Sequence, residues 1–193
     1  MGDPKRRRRK YETPKKPWDM QAIQLELRYL GEYGLRNKRE LWKHKTQLSR
    51  IRAIARGLLA QPPEVRVKAE MMLLNRLKRI GLLSESANLD HVLDLTLEDI
   101  LNRRLQTFVY KLGLAKTIHQ ARQFITHGHI TVNDRVVRVP SYIVKSGEEN
   151  TIHYASDSPF NDSKHPIRTS IEAVHVASKM EEVSRELESS EEI

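Results

Sequence analysis

The residues that could do chemistry in this 193-residue chain are few. His127-Gly128-His129, with His119 nearby, is the one spacing that suggests a metal. Structural zinc needs four convergent ligands, however, and the chain has no cysteine and no carboxylate cluster beside these imidazoles. No metal is therefore expected, and neither a disulfide framework nor a cysteine nucleophile is available. Serine, histidine and carboxylates all occur, but no spacing arranges them as nucleophile, base and orienter. Gly31, Gly34, Gly113 and Gly128 are turn punctuation, not a phosphate-binding loop. The expectation is a protein that is not an enzyme, with no catalytic residue, no cofactor and no small-molecule substrate. What remains is cationic chemistry. Lys and Arg number 34 against 25 Asp and Glu, a net charge of +9, which calls for a polyanionic partner.

The cations are segregated. Residues 1–56 carry 17 basic against 6 acidic side chains, and 103–145 carry 8 against 1. The stretch between them, 57–102, carries 5 against 7, and 170–193 carries 2 against 7. Two basic blocks separated by a near-neutral one suit a protein that lays two surfaces on phosphates. The run Lys5 to Lys10, including Arg7 and Arg8, is followed by Pro14 and Pro17. Repulsion and proline disfavour a helix, so residues 1–18 read as an extended arm that orders on a polyanion. A nuclear-import signal would look the same. No apolar run approaches the roughly 18 residues of a membrane helix, and the N-terminus lacks a signal-peptide core, so no membrane partner is expected and the cytoplasm is the default location.

Residues 19–102 read as a helical lobe. Asp19 can cap a helix with Ile23, Leu27 and Leu30 on its apolar side, ending at Gly31. Asn37 can cap a long helix to about Ala60, with Leu41, Leu48, Ile51, Ala55 and Leu58 on one face. Arg36 precedes it, and Lys38, Arg39, Lys43, Lys45, Arg50, Arg52 and Arg56 lie on it with Glu40 as the lone acid between 38 and 60. That excess of cations suits a groove lined by phosphates. Pro62-Pro63 starts another helix, with Val67, Met71, Leu74 and Leu77 as its stripe, Met71-Met72 as core filling and Gly81 as its stop. Thr96 with Asp99 is a capping-box start for the next.

The most specific stretch runs from 103 to 168. Arg103-Arg104-Leu105 opens a helix with Leu105, Val109 and Leu112 inward. Thr117 caps a second, with Gln120 completing a Thr-x-x-Gln box, Ile118, Ala121 and Ile125 inward, and Arg122, Gln123 and His127 outward. The period then changes from 3.6 to 2: Ile130–Val132 and Arg135–Val137 form a hairpin over Asn133-Asp134, and Tyr142–Val144 and Thr151–Tyr154 look like further strands. Arg103, Arg104, Lys116, Arg122 and Arg135 collect on one side. His119, Gln120 and Gln123 can reach 2′-hydroxyls or base edges, and the helix start at Thr117 favours a phosphate. Glu148-Glu149 reads as a solvated turn. The fold class is α+β: a helical N-terminal lobe, a two-helix and β-hairpin RNA-binding module, and an acidic tail over 169–193, in which Ile171, Val174, Val183 and Leu187 allow a weak amphipathic helix and the charge allows a mobile tail equally.

The segment R-R-L-Q-T-F-V-Y-K-L-G-L-A-K-T-I-H-Q-A-R-Q-F-I-T-H-G-H-I-T-V-N at 103–133 resembles the RNA-binding module of the ribosomal S-four family. G-E-Y-G-L-R-N-K-R-E-L-W at 31–42 resembles that family's N-terminal lobe, and the order of the two together with the absence of cysteine is similar to its archaeal branch. The resemblance covers residues 1 to about 168. It implies a structural constituent of the small ribosomal subunit, in the cytoplasm. It further implies that the protein binds small-subunit ribosomal RNA as a primary binder, nucleates the subunit body near a multi-helix junction, touches the neighbouring small-subunit protein numbered five, lies by the messenger RNA entry path and influences decoding accuracy. Two features depart from the family: Asp134 stands where glycine is usual, and 170–193 match nothing in it.

Two other readings are open from the residues. The helices around Gly113–Lys116 superficially resemble a helix-turn-helix DNA binder, although Arg122, Gln123 and the histidines are a thin reading head and a hairpin follows at once. The same module is also appended to RNA-modifying enzymes, but the first 102 residues leave no room for a catalytic sheet.

Overall fold

The computed structural model describes residues 8–162 and 164–175, and the chain divides after Arg103 into two compact units. Helices and one small antiparallel sheet make it α+β. Among the described residues no helix is long and apolar enough to cross a membrane.

The first unit is helical: α1 (Met20–Glu32), α2 (Lys38–Leu59), α3 (Pro63–Ile80), α4 (Leu89–Asp94) and α5 (Leu97–Asn102). Its boundaries follow local chemistry. Asp19 accepts from the Gln21 N–H, Asn37 from Glu40 and Thr96 from Asp99, which occupies donors that each helix start leaves open. Pro63 begins α3, where a missing N–H costs nothing, and Gly81 ends it at φ 75°. Leu48, Ala55 and Leu58 of α2 bury against Leu73, Leu77, Leu89, Val92 and Ile100, and Leu41 packs with Leu35 and Leu101.

Two helices face differently from the expectation. In α3 the buried residues are Leu73 and Leu77, whereas Val67, Met71 and Met72 are exposed, so the methionine pair is not core filling. In α1 Leu27 is exposed and the buried residue is Glu26, which accepts from Trp42 Nε1 at 2.8 Å and pairs with Lys38 at 3.1 Å. Apolar spacing identified both helices but not the rotation of each, which polar anchors set in α1 and the apolar partners of Leu73 and Leu77 set in α3. The arm carries no regular structure over residues 8–14, and its end is held against α2. The Glu12 N–H donates to Thr46 Oγ1, Tyr11 lies 6.0 Å from Trp42, and Arg9 stands over Tyr11.

The second unit holds α6 (Leu105–Lys111), α7 (Ile118–His127), β1 (Ile130–Val132), β2 (Arg135–Val136) and β3 (Ile152–Tyr154), and residues 166–175 are also helical. The sheet order is β2-β1-β3, with Thr131 opposite Val136 and His153. The central strand is buried throughout and the edge strand β2 is exposed. Leu105, Val109, Ala121, Ile125, Ile130, Val144 and Ile152 form one core with Ile171. Ile171 packs into this unit from the helical stretch 166–175, as the amphipathic reading of the start of the acidic segment expects. The remainder of the acidic segment lies outside the described residues.

Other expectations shift by a residue or a role. Leu112 is exposed, so α6 turns inward only to Val109. Gln120 does not close a strict capping box: Thr117 accepts from the Gln120 N–H, while Gln120 Oε1 accepts from Lys116 N at 2.7 Å, one residue further out. Tyr142–Val144 is not a strand but a strap. The Leu105 N–H donates to the Tyr142 carbonyl at 2.8 Å, the Gln106 N–H donates to Pro140, and Ile143 bridges Arg104. The strap takes the donors of α6 that its N-cap, Arg104, does not satisfy with its side chain. Glu148 is the anchor of its turn, accepting from the Tyr142 hydroxyl at 2.8 Å and the Lys145 N–H at 3.0 Å. Burial alone would raise its carboxyl, but these bonds and the Lys145 ammonium outweigh burial and hold it below the ordinary carboxylate value.

Two predictions follow from this unit. Asn133 and Asp134 sit at φ 49° and 59°, the conformation of a type I′ turn. Asp134→Gly should remove left-handed strain and raise stability by about 0.5–1 kcal/mol, read by thermal unfolding. Glu148, with a folded pKa below its unfolded value, stabilises above the unfolded pKa of about 4.3 and loses that contribution as pH falls through the folded value. Glu148→Gln should cost about 1 kcal/mol at neutral pH in urea unfolding, with the deficit shrinking as the medium is acidified below about pH 4.

Candidate nucleic-acid interface

In the second unit the outward face of α7 is built by spacing. His119, Gln123 and His127 are exposed and Arg122 is half-buried beside them, while Ala121, Phe124 and Ile125 are buried opposite. Lys116 and Thr117 are exposed at the helix start, and Arg135 is exposed on β2. These residues share one unit and offer cations, imidazoles and an amide with no carboxylate on that helix face. Gln120 is half-buried and spends its carbonyl on the Lys116 N–H, which fixes the loop before the helix. Tyr154 holds the same loop from behind by donating to the Leu114 carbonyl, and His175 Nε2 lies 3.0 Å from the Ala115 carbonyl.

Arg104 was expected on the exposed basic side, and the structure places it fully buried, 0% exposed. It is the N-cap of α6, its backbone bridges Ile143 of the 140–143 strap, and its side chain lies in the interior. Gln106 is also fully buried; its Nε2 donates to the Ile118 carbonyl at 3.0 Å, and Arg122 Nη1 lies 3.5 Å from its Oε1. Gln106 thus links α6, the start of α7 and Arg122. Its role was not legible in the sequence, because a glutamine on a short helix gives no periodic signal. Arg138 was also missed. It is exposed and lies against Gly128, where a Cβ would stand 2.9 Å from Arg138 Nε. Its place three residues after Arg135 was the available hint.

His127 and His129 stack 6.3 Å apart, but His129 is turned into an aromatic cluster, 4.8 Å from Phe160, with Nδ1 3.1 Å from Ser158 Oγ. Burial, and secondarily His127, lowers its pKa, so the ring is the neutral partner of a packed cluster. No group of three or more metal-ligating side chains occurs among the described residues.

In the first unit Arg36, Arg39, Lys43, Lys45, Arg50 and Arg56 are exposed, as is Arg8, while Arg7 lies outside the described residues. Three candidates are held by the fold. Lys38 is spent on Glu26. Arg52 donates to the Leu95 carbonyl. Arg103 lays its guanidinium over Gly81, where a Cβ would come within 2.6 Å of Nη2.

Residues 103–150 match the S4 domain. The chain is 55% identical over 160 residues to the small ribosomal subunit protein uS4 of Hyperthermus butylicus, covering 83% of this chain and 91% of that protein. It is 51% identical to the uS4 of Picrophilus torridus over 87% of this chain and 93% of that one, and 54% identical to the uS4 of Ignicoccus hospitalis over 83% and 96%. A helical unit followed by an S4 domain with an outward cationic face defines the class. The chain belongs to the uS4 family of small ribosomal subunit proteins.

The burial of Arg104 separates two kinds of arginine. Arg104→Ala should destabilise the fold by about 3 kcal/mol, because it empties a buried charged site and strands its partners. Lys116→Ala, at an exposed position, should change stability by less than about 0.5 kcal/mol. Urea unfolding of the two variants checks the contrast.

Proposed function

We propose that this chain is a structural, RNA-binding component of the small ribosomal subunit and that it acts without catalysis, as a cytoplasmic ribosomal protein. The observation that carries the reading is the α7 face: Lys116, His119, Arg122, Gln123 and His127, with Arg135 from the sheet, presented by a buried frame of Arg104 and Gln106. Arginine and lysine suit phosphates, and the amide and imidazoles suit 2′-hydroxyls and base edges. Exposed aromatic rings are scarce on that face, so recognition rests on the shape and phosphate spacing of folded RNA.

In the first unit the outward cations of α2, Arg39, Lys43 and Arg50, with Arg36 before it, form a second phosphate-facing surface, and the basic arm a third. Membership of the uS4 family supports small-subunit ribosomal RNA as the ligand and other small-subunit proteins as neighbours. Primary binding near a multi-helix junction, contact with the protein numbered five, a place by the messenger RNA path and an influence on decoding are finer parts of the same proposal. Duplex DNA is the alternative ligand that the test must exclude.

With about eight phosphate contacts, log K for small-subunit ribosomal RNA should fall against log salt with a slope of about −6 to −7. At moderate salt a duplex DNA of equal charge should compete only at the non-specific level. Arg122→Ala should weaken RNA binding about 10- to 150-fold with the fold intact by circular dichroism. Equal displacement by DNA, or an Arg122 variant that binds RNA normally, overturns the reading.

A further inference from the structure

The exposed cations of α2 do not form one field. At 3.6 residues per turn Arg39, Lys43 and Arg50 fall on one line, and Lys45, Arg52 and Arg56 on another, about 140° around the helix. The first line faces away from the core. The second flanks the buried stripe of Leu41, Leu48 and Ala55 and forms one rim of a groove of about 510 Å³ between α1, α2 and the start of α5. The groove is walled mainly by Ala22, Leu25, Tyr29, Leu41, Leu48 and Leu97.

Of its apolar wall residues Leu25 is 54% exposed, so the groove opens to solvent past a large apolar side chain. An open apolar wall beside a row of cations suits a partner that brings both apolar and acidic side chains. Glu26 is neutralised by Lys38, so it does not offset the rim cations. Arg52 is anchored to the Leu95 carbonyl and fixes the middle of the rim.

We propose that this groove is a protein-docking site for an amphipathic, acidic helical segment of a neighbouring protein, and that α2 thereby divides its cations between two partners. A ribose-phosphate backbone has nothing to bury in a leucine-walled groove. A helix with apolar anchors one turn apart fills it, in the manner of helix-in-groove recognition. Carboxylates along one edge of that helix meet Lys45 and Arg56, about 16 Å apart along the α2 axis, with the anchored Arg52 between them. The apolar floor supplies affinity and the cationic rim sets orientation. This inference stands apart from the RNA reading, since it concerns a different face of the helix and a different ligand.

The test uses the purified full chain and a synthetic helical peptide with leucine at i, i+4 and i+7 and glutamates along one flank, titrated by calorimetry at moderate salt. A scrambled peptide of the same composition is the control. The helical peptide should bind at least about tenfold more tightly than the scrambled one. K45E/R56E and, separately, Leu25→Ser should each weaken it about tenfold or more, while K43E/R50E leaves it unchanged. Binding of small-subunit ribosomal RNA should respond in the opposite order, falling more with K43E/R50E than with K45E/R56E. Leu25, Lys45 and Arg56 are exposed, and circular dichroism checks that each variant is folded. No binding of the helical peptide, equal binding of the scrambled one, or a loss of RNA affinity in K45E/R56E as large as in K43E/R50E overturns the proposal. The last outcome would make the groove a further RNA surface. A failure of RNA binding across all variants would bear on the RNA reading alone.

Discussion

A guanidinium with no exposure to water sits at the start of α6, beside the apolar core of the second unit. Placing a full charge in a core is costly unless the surroundings hold it by hydrogen bonds and opposite charge. At that helix start the 140–143 strap crosses α6, where the Tyr142 and Pro140 carbonyls accept the first free N–H groups of the helix. Tyr142 is in turn fixed by Glu148, whose carboxylate closes the next turn. One step further along α6, the buried Gln106 reaches the start of α7 and Arg122. The outward face of α7 thus inherits its position from polar groups no ligand touches. Such a frame is rigid for the reason that makes it expensive: each buried polar group restricts the orientation of the next.

This explains what was legible in the sequence and what was not. Helix starts and stops were readable because Asn37, Thr96, Thr117, Pro63, Gly81 and Gly128 act locally, through their own φ or one side-chain acceptor. The hairpin over Asn133-Asp134 was readable for the same reason. Helix rotation was less so. α1 turns to bury Glu26 against Lys38 and Trp42, and α3 turns to bury Leu73, because in each a long-range partner outweighs the apolar stripe. Arg104 was misread on the same ground. Next to Arg103, in a basic block, it has the composition of a surface residue, and only the strap some 40 residues later decides otherwise.

Charge counting therefore identifies the partner class but overstates the interface. Of the cations marked from the sequence, Lys38, Arg52, Arg103 and Arg104 are taken by Glu26, a backbone carbonyl, a glycine surface and the module interior. The cations that remain exposed are a smaller set on defined helix faces. That reduction sharpens the reading, since specificity for folded RNA requires cations at fixed spacings, and a diffuse field of mobile lysines would bind any polyanion.

The same logic bears on α2. A helix of 22 residues carrying so many cations and one acid has little intrinsic reason to be stable alone, since like charges one turn apart repel. Its core stripe holds it in place, and that stripe also fixes which cations point outward and which lean over the groove. A single buried face thereby determines two exposed ones. Rotating α2 by one residue would move Arg39, Lys43 and Arg50 about 100° and break both surfaces together. The positions of Leu41, Leu48, Ala55 and Leu58 thus set the direction in which each exposed face of α2 points.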